Sequence, residues 1–416
     1  MLSVQEAETI IFNLVQVLDP RKDVEKVDIS SALGRILAEP VIGNLDFPHW
    51  DNSAMDGYAV RWEDVEQARD DKPVDLEIIG EIPAGYPPKL RLQPGEAARI
   101  FTGAVMPDDA DTVVMQEVTR REENRVWIQA APSKCQAFVR KQGAYYQAGQ
   151  ELLPAGIVIQ GTEIAILAAL QVKSISVYRK LKVAIFSTGD ELVTVGQTLQ
   201  PGQIVDSNQN AIASLLKQLG VEVVILGIVP DQAGDLEVAV KNAISSDIVI
   251  SSGGVSVGEY DYVEDVLTSL GAKVHVESVA MKPGKPLTVA TLKNLQNQQV
   301  LYFGLPGNPV SALVTFWRFV QPMIKKLSGL SDGWQPIFIK AKARQELRCD
   351  GKRESYVWGK LRLVDGFYEF DVAGGSQVSG NLINLAQTNG LAVLNCGQTL
   401  ISPGELLKVL LVQNIC

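Results

Sequence analysis

Four short segments hold residue types that bind anions: 187–191 (STGDE), 251–261 (SSGGVSVGEYD), 281–286 (MKPGKP) and 305–309 (LPGNP). In the second, Ser251, Ser252, Gly253 and Gly254 let backbone N–H groups approach an anion closely, with hydroxyls as further donors. In the third, Lys282 and Lys285 flank Pro283-Gly284, a stiff turn that could hold two ammonium groups towards an oxyanion or phosphate. Asp190, Glu191, Asp231 and Asp261 lie at or near these loops. Carboxylates beside a phosphate-binding loop suit Mg2+, a hard cation that takes oxygen ligands. In Pro306-Gly307-Asn308-Pro309, Asn308 fits a helix cap and Pro309 the first helical position. The GxxxxGK[ST] pattern is absent, so no P-loop nucleotide site is expected. Taken singly, each segment also reads as a bland loop, a cap or solvated surface charge. Two others, 51–59 (DNSAMDGYA) and 100–104 (IFTGA), read as turns and unaided say nothing about chemistry.

The rest of the composition narrows the tool set. With two His, at 49 and 275, no multi-His metal site can be built. The four Cys are too scattered for a zinc pair or a disulfide framework, which suggests a reducing cytoplasm. A net charge of −10 argues against nucleic-acid or anionic-membrane binding. The first 18 residues lack a signal-peptide pattern, and no apolar run is long enough to span a membrane. The apolar stretch 164–172 reads as a buried helix. Acid–base work falls to carboxylates, Lys and bound water, which fits phosphoryl transfer or phosphoanhydride cleavage.

The positioning elements follow from periodicity. Helical spacing over 4–18 ends at Asp19-Pro20. Short β-rich runs at 76–79, 97–100, 112–118 and 126–128 mark a small β-domain, and 162–170 is helical again. From 182, strands at 183–186, 222–229, 248–251, 274–279 and 300–303 alternate with helices near 208–219, 234–246, 260–270 and 309–327. This predicts a mainly parallel sheet with helices on both faces. Each anion-binding segment then lies beyond the carboxyl end of a strand, where open parallel sheets bind ligands. The expected organisation is a discontinuous N-terminal domain (1–45 with 142–178), an inserted β-rich domain (46–141), an α/β domain (179–328) and a C-terminal β-domain (329–416). The fold class is multi-domain α/β and β.

As an ordered set, DNSAMDGYA at 51–59, FTG at 101–103, STGDEL at 187–192, SSGGVSVG at 251–258 with Asp261-Tyr262, KPGKP at 282–286 and LPGNPVS at 305–311 resemble the MoeA family of molybdopterin molybdenumtransferases, also seen as the E-domain of gephyrin. The resemblance spans nearly the whole chain. It implies insertion of molybdate into adenylated molybdopterin with release of AMP and use of Mg2+. It also implies a cytoplasmic homodimer whose cleft is shared between subunits, and contact with the adenylyltransferase of the same pathway.

By motif, it assigns catalytic roles to Asp56, Thr102, Glu191, Asp231, Asp261, Lys282 and Lys285. Mg2+ falls to Asp190, Glu191, Asp231 and Asp261. Ligand binding falls to Thr188, Gly189, 251–254, Pro306, Gly307, Asn308, Pro309, Arg353 and Ser376. Three positions depart from the family pattern: Tyr145 stands where an acidic residue is expected, Trp358 where a second Arg is common, and His49 where Pro is usual. A single-domain adenylyltransferase-type enzyme is disfavoured by the flanking β-domains. A non-catalytic molybdopterin-binding scaffold on the same fold is the alternative.

Overall fold

The computed structural model describes residues 1–254 and 262–413. Three six-stranded sheets dominate it. In the α/β sheet the order is Glu222–Val229, Lys182–Thr188, Ile248–Ser252, Gln299–Leu305, Pro286–Lys293 and Lys273–Ser278. The first four are parallel, and the last two pair antiparallel. Lys182–Thr188 and Ile248–Ser252 are nearly continuous apolar runs because helices cover both sheet faces. One face packs Ile185, Ile250 and Phe303 against Ile212, Leu216 and Phe316. The other packs Phe186, Val249 and Tyr302 against Leu236, Val240 and Leu267.

Sequence periodicity misses the strand Pro286–Lys293. It opens on a proline, directly after a Pro-Gly turn, so its start carries a loop signal. Because Lys273–Ser278 runs antiparallel to it, Lys273–Ser278 is again parallel to Gln299–Leu305 and ends on the same edge.

The β-rich insertion forms the second large sheet, within residues 57–128. On either side of it the chain pairs with itself: Val24–Asp28 with Ser174–Tyr178, and Val41–Ile42 with Glu151–Leu153. The third sheet, in the C-terminal region, closes on itself through Glu354–Val364 and Gly390–Leu394.

Two expectations change. The first helix spans Val4–Asn13 and not 4–18. Beyond it, tertiary bonds replace helical ones: Gln299 Nε2 donates to the Leu14 carbonyl, and Leu18 N–H donates to Leu327 O. The apolar helix Gly161–Ala169 is also not buried. Only Leu167 of it is, and Ile166 is 39% exposed, because one line of residues packs while the rest of the helix faces out.

The helix expected over 309–327 carries through as Pro309–Thr315, the π turn Phe316–Val320 and Gln321–Leu327. The wider turn directly precedes Pro322, which has no N–H to donate.

Candidate active site

Parallel strands deliver their following loops to one edge, and the sheet order brings 187–191, 251–254 and 305–309 there, with Pro286 beside them. A cavity of about 640 Å³ opens at that edge. Thr188, Glu191, Asp231, Ser252, Gly253, Gly254, Pro306, Gly307, Asn308 and Pro309 line it. Helices starting at Asn208 and Pro309 begin at its wall, so their N-terminal dipoles add positive potential where an anion would sit. Asn308 holds the N-cap position without a side-chain cap bond.

Close approach shapes the floor. Gly253 has φ +97°, and a Cβ there would stand 2.2 Å from the Thr188 carbonyl oxygen. Asn208 ties two loops together: its Nδ2 donates to Ser252 Oγ and to Gly307 O, each at 2.8 Å. Thr188 Oγ1 donates to Asp231 Oδ1 at 2.6 Å, and the Asp231 N–H donates to Asp190 Oδ1 at 3.2 Å.

Sequence reasoning missed Asn208 and Asp206. Asp206 also lines the cavity, and its Oδ1 accepts from the Gln209 N–H. The signal was available: two polar residues bracket Ser207 at a helix start on the ligand-binding edge.

Three predicted residues sit elsewhere. Ser251 is fully buried, its hydroxyl accepting from the Tyr302 hydroxyl at 2.6 Å, and it does not line the cavity. Alternation along the strand turns Ser251 away from its neighbour Ser252. Gly189 and Asp190 belong to the same edge but are not in the wall. Asp261, expected at this site, lies outside the described residues.

Carboxylate and hydroxyl oxygens from Thr188, Asp190, Glu191 and Asp231 are the donor chemistry that Mg2+ takes. Among the described residues, no group of three acidic, His or Cys side chains converges as a ready-made metal centre.

A second cavity, of about 500 Å³, adjoins the first and shares Pro286, Asn308 and Ser311 with it. Four cationic side chains line it: Lys282, Lys285, Arg348 and Arg353. It is formed where Met281–Lys282 adds as a short parallel strand to Glu354-Ser355 of the C-terminal sheet. Arg353 Nη1 donates to the Met281 carbonyl at 3.2 Å. Lys282 Nζ donates to Asp350 Oδ2 at 2.9 Å. That bond, with a second from the Lys352 N–H, holds the Asp350 carboxyl below the usual carboxylate range.

Ser376 is not in the wall; its carbonyl accepts from Asn381 and Asn384, while Gln377, Val378 and Ser379 face the cavity. Arg348 was not anticipated. Trp358, where the family pattern suggests Arg, is a core residue that also forms part of this wall.

Asp56 and Thr102 meet each other but line neither cavity. Asp56 Oδ1 accepts from the Thr102 N–H at 2.7 Å and from its hydroxyl at 2.8 Å. Those two bonds, backbone first, keep the Asp56 carboxyl below the usual range. The remaining departures cluster together: Phe47 lies 5.8 Å from His49 and 6.1 Å from Tyr145, ring centre to ring centre.

Comparison with known proteins covers almost the whole chain. Residues 2–170 match the MoeA N-terminal region (domain I and II), 184–326 a probable molybdopterin binding domain, and 340–412 the MoeA C-terminal region (domain IV). The molybdopterin molybdenumtransferase of a Nostoc species is 62% identical over 411 residues, covering 99% of this chain and 94% of that one. The enzyme of that name from Haemophilus influenzae is 36% identical, covering 98% of each. The crystal structure of a molybdopterin biosynthesis MoeA protein from Pyrococcus horikoshii superposes with a TM-score of 0.82 at 26% identity, covering 99% of this chain and 100% of that one. The chain belongs to the MoeA family of molybdopterin molybdenumtransferases.

Proposed function

We propose that this protein inserts molybdate into adenylated molybdopterin and releases AMP, as a step of molybdenum cofactor biosynthesis. The observation that carries this reading is the pair of joined cavities, one suited to phosphate and one to an oxyanion. Backbone N–H groups at 254 and 307, with two helix starts and the Ser252 hydroxyl, hold the phosphates of the organic substrate in the first. Lys282, Lys285 and Arg353 receive molybdate in the second. The shared wall of Pro286, Asn308 and Ser311 brings the two substrates side by side.

Release of AMP breaks one phosphoanhydride P–O bond. One water supplies the new P–O bond; Glu191, exposed at the cavity wall, takes its proton. When bound, Mg2+ supplies charge neutralisation at the phosphates. Asp190, Glu191 and Asp231, with Asp261, are the residues that would hold it.

The same reading has the chain act as a cytoplasmic homodimer. Asp56 and Thr102 of each subunit complete the other's cleft, since in their own subunit they reach neither cavity. No described helix is long and apolar enough to cross a membrane. The four units are 1–45 with 142–178, 46–141, 179–328 and 329–416. The adenylyltransferase of the same pathway is the natural supplier of the substrate.

The test is AMP release from adenylated molybdopterin with molybdate and Mg2+ present. Binding of the substrate with no AMP released would establish a scaffold and remove the enzyme. Lys285→Ala is expected to weaken molybdate binding roughly tenfold, as loss of one charge-assisted contact does. Lys285 is exposed, so the melting temperature should move by less than about 2 °C. A large loss of stability would reassign Lys285 to a structural role.

A further inference from the structure

Arg318 has 4% of its side chain exposed and lies in the π turn Phe316–Val320. Such turns inside α-helices concentrate at functional sites. Its guanidinium joins three parts of the chain. Nη2 donates to Glu8 Oε2 at 2.7 Å, on the N-terminal helix. Nε donates to the Tyr356 hydroxyl at 3.0 Å, in the C-terminal sheet. That hydroxyl in turn donates to Glu354 Oε1. The rings of Phe319 and Phe338 lie 5.1 and 5.7 Å from the guanidinium carbon. Nη1 is buried without a hydrogen-bond partner among the described residues.

Stability alone explains this arrangement poorly. A buried ion pair is often no more stabilising than apolar residues of similar volume, and an orphaned N–H adds a cost. Location explains it better. Glu354 opens the strand Glu354–Val364, and its N–H donates to Ala280 O. Glu354 and Ser355 pair with Met281 and Lys282, and Arg353 donates to Met281 O. The chain Glu8–Arg318–Tyr356–Glu354 therefore ends where Arg353 and Lys282 enter the cationic cavity.

We propose that Arg318 is a positioning residue for that cavity, fixing Arg353 and Lys282 at one spacing through Tyr356 and Glu354. The inference rests on the oxyanion reading of the cavity. Arg318 itself does not touch the ligand. Lysine should not replace it, because one ammonium on a flexible stem lacks the rigid fork that spans Glu8 and Tyr356.

The test uses the full chain, molybdate binding by calorimetry, and steady-state AMP release. Arg318→Lys is expected to raise the molybdate Kd and KM about tenfold while kcat changes by less than about twofold. In an Arg353→Ala background the same change should cost clearly less than it does alone, because Arg353 is one of the two side chains that Arg318 positions. Additive losses, or unchanged Kd and KM in Arg318→Lys, would overturn the proposal. Should Arg318→Lys fail to fold, Tyr356→Phe cuts the same link, keeps the ring, and carries the same expectation. If the unaltered chain binds no molybdate, the oxyanion reading itself falls, and that outcome is distinct from a variant that binds as tightly as the unaltered chain.

Discussion

Glu191→Gln is expected to slow AMP release by about two to four orders of magnitude, the range for loss of a positioned proton acceptor. The change keeps the size and hydrogen-bonding outline of the side chain and removes its charge. Glu191 lines the phosphate cavity, is exposed, and has no ion-pair partner among the described residues. Folding should therefore be untouched. The measurement is single-turnover AMP release beside a thermal unfolding scan. Near-normal release would remove Glu191 from the chemistry. A collapsed unfolding transition would make it a structural residue.

The second large effect is on the scaffold. Gly253→Ala places a methyl group 2.2 Å from the Thr188 carbonyl oxygen, at a backbone φ of +97°. Neither contact partner is a flexible side-chain end, so the loop or the strand end must move. Backbone strain of about 1–3 kcal/mol and a comparable overpacking cost should lower stability by roughly 2–5 kcal/mol. Thr188 also donates to Asp231, so the movement should disturb the acidic end of the cavity as well. Urea unfolding of the variant, followed with substrate binding, checks both. A loss under about 1 kcal/mol with binding intact would contradict the close approach.

Most of the edge that carries the candidate site was legible because strand and helix periods are local signals. Runs such as 248–252 and the stripe of Ile212 and Leu216 announce a covered parallel sheet, and the loops after its strands follow from that alone. What escaped was set by tertiary contact or by parity. Ser251 and Ser252 are identical in type, and only the strand's alternation assigns one to the Tyr302 hydroxyl and the other to the cavity. Asn208 reads as one more polar residue at a helix start until Ser252 and Gly307 are seen to share its amide.

The antiparallel strand Pro286–Lys293 is hidden behind its own proline. The first helix looks longer than it is because Val15 and Leu18 keep the apolar spacing while the Leu14 carbonyl and the Leu18 N–H bond elsewhere. Arg318 carries no local signal, since its partners Glu8 and Tyr356 are 310 and 38 residues away. The cationic cavity has the same origin. Lys282 and Lys285 were visible as a pair and Arg353 through the family resemblance, while Arg348 was not, and the four meet only because Met281–Lys282 adds to the C-terminal sheet.

This also resolves how a chain of net charge −10 can receive anionic substrates. The positive features meet locally: four cationic side chains line the second cavity, and two helix starts open on the first, whose wall also carries Glu191, Asp206 and Asp231.

If these two cavities work as one, AMP leaves only when molybdenum enters. The most direct measurement is single-turnover quantification of both, with enzyme in excess of adenylated molybdopterin and molybdate and Mg2+ supplied. AMP released and molybdenum incorporated are expected in equal amounts, with little AMP when molybdate is withheld. AMP release at the same rate without molybdate, or incorporation with no AMP released, would contradict it.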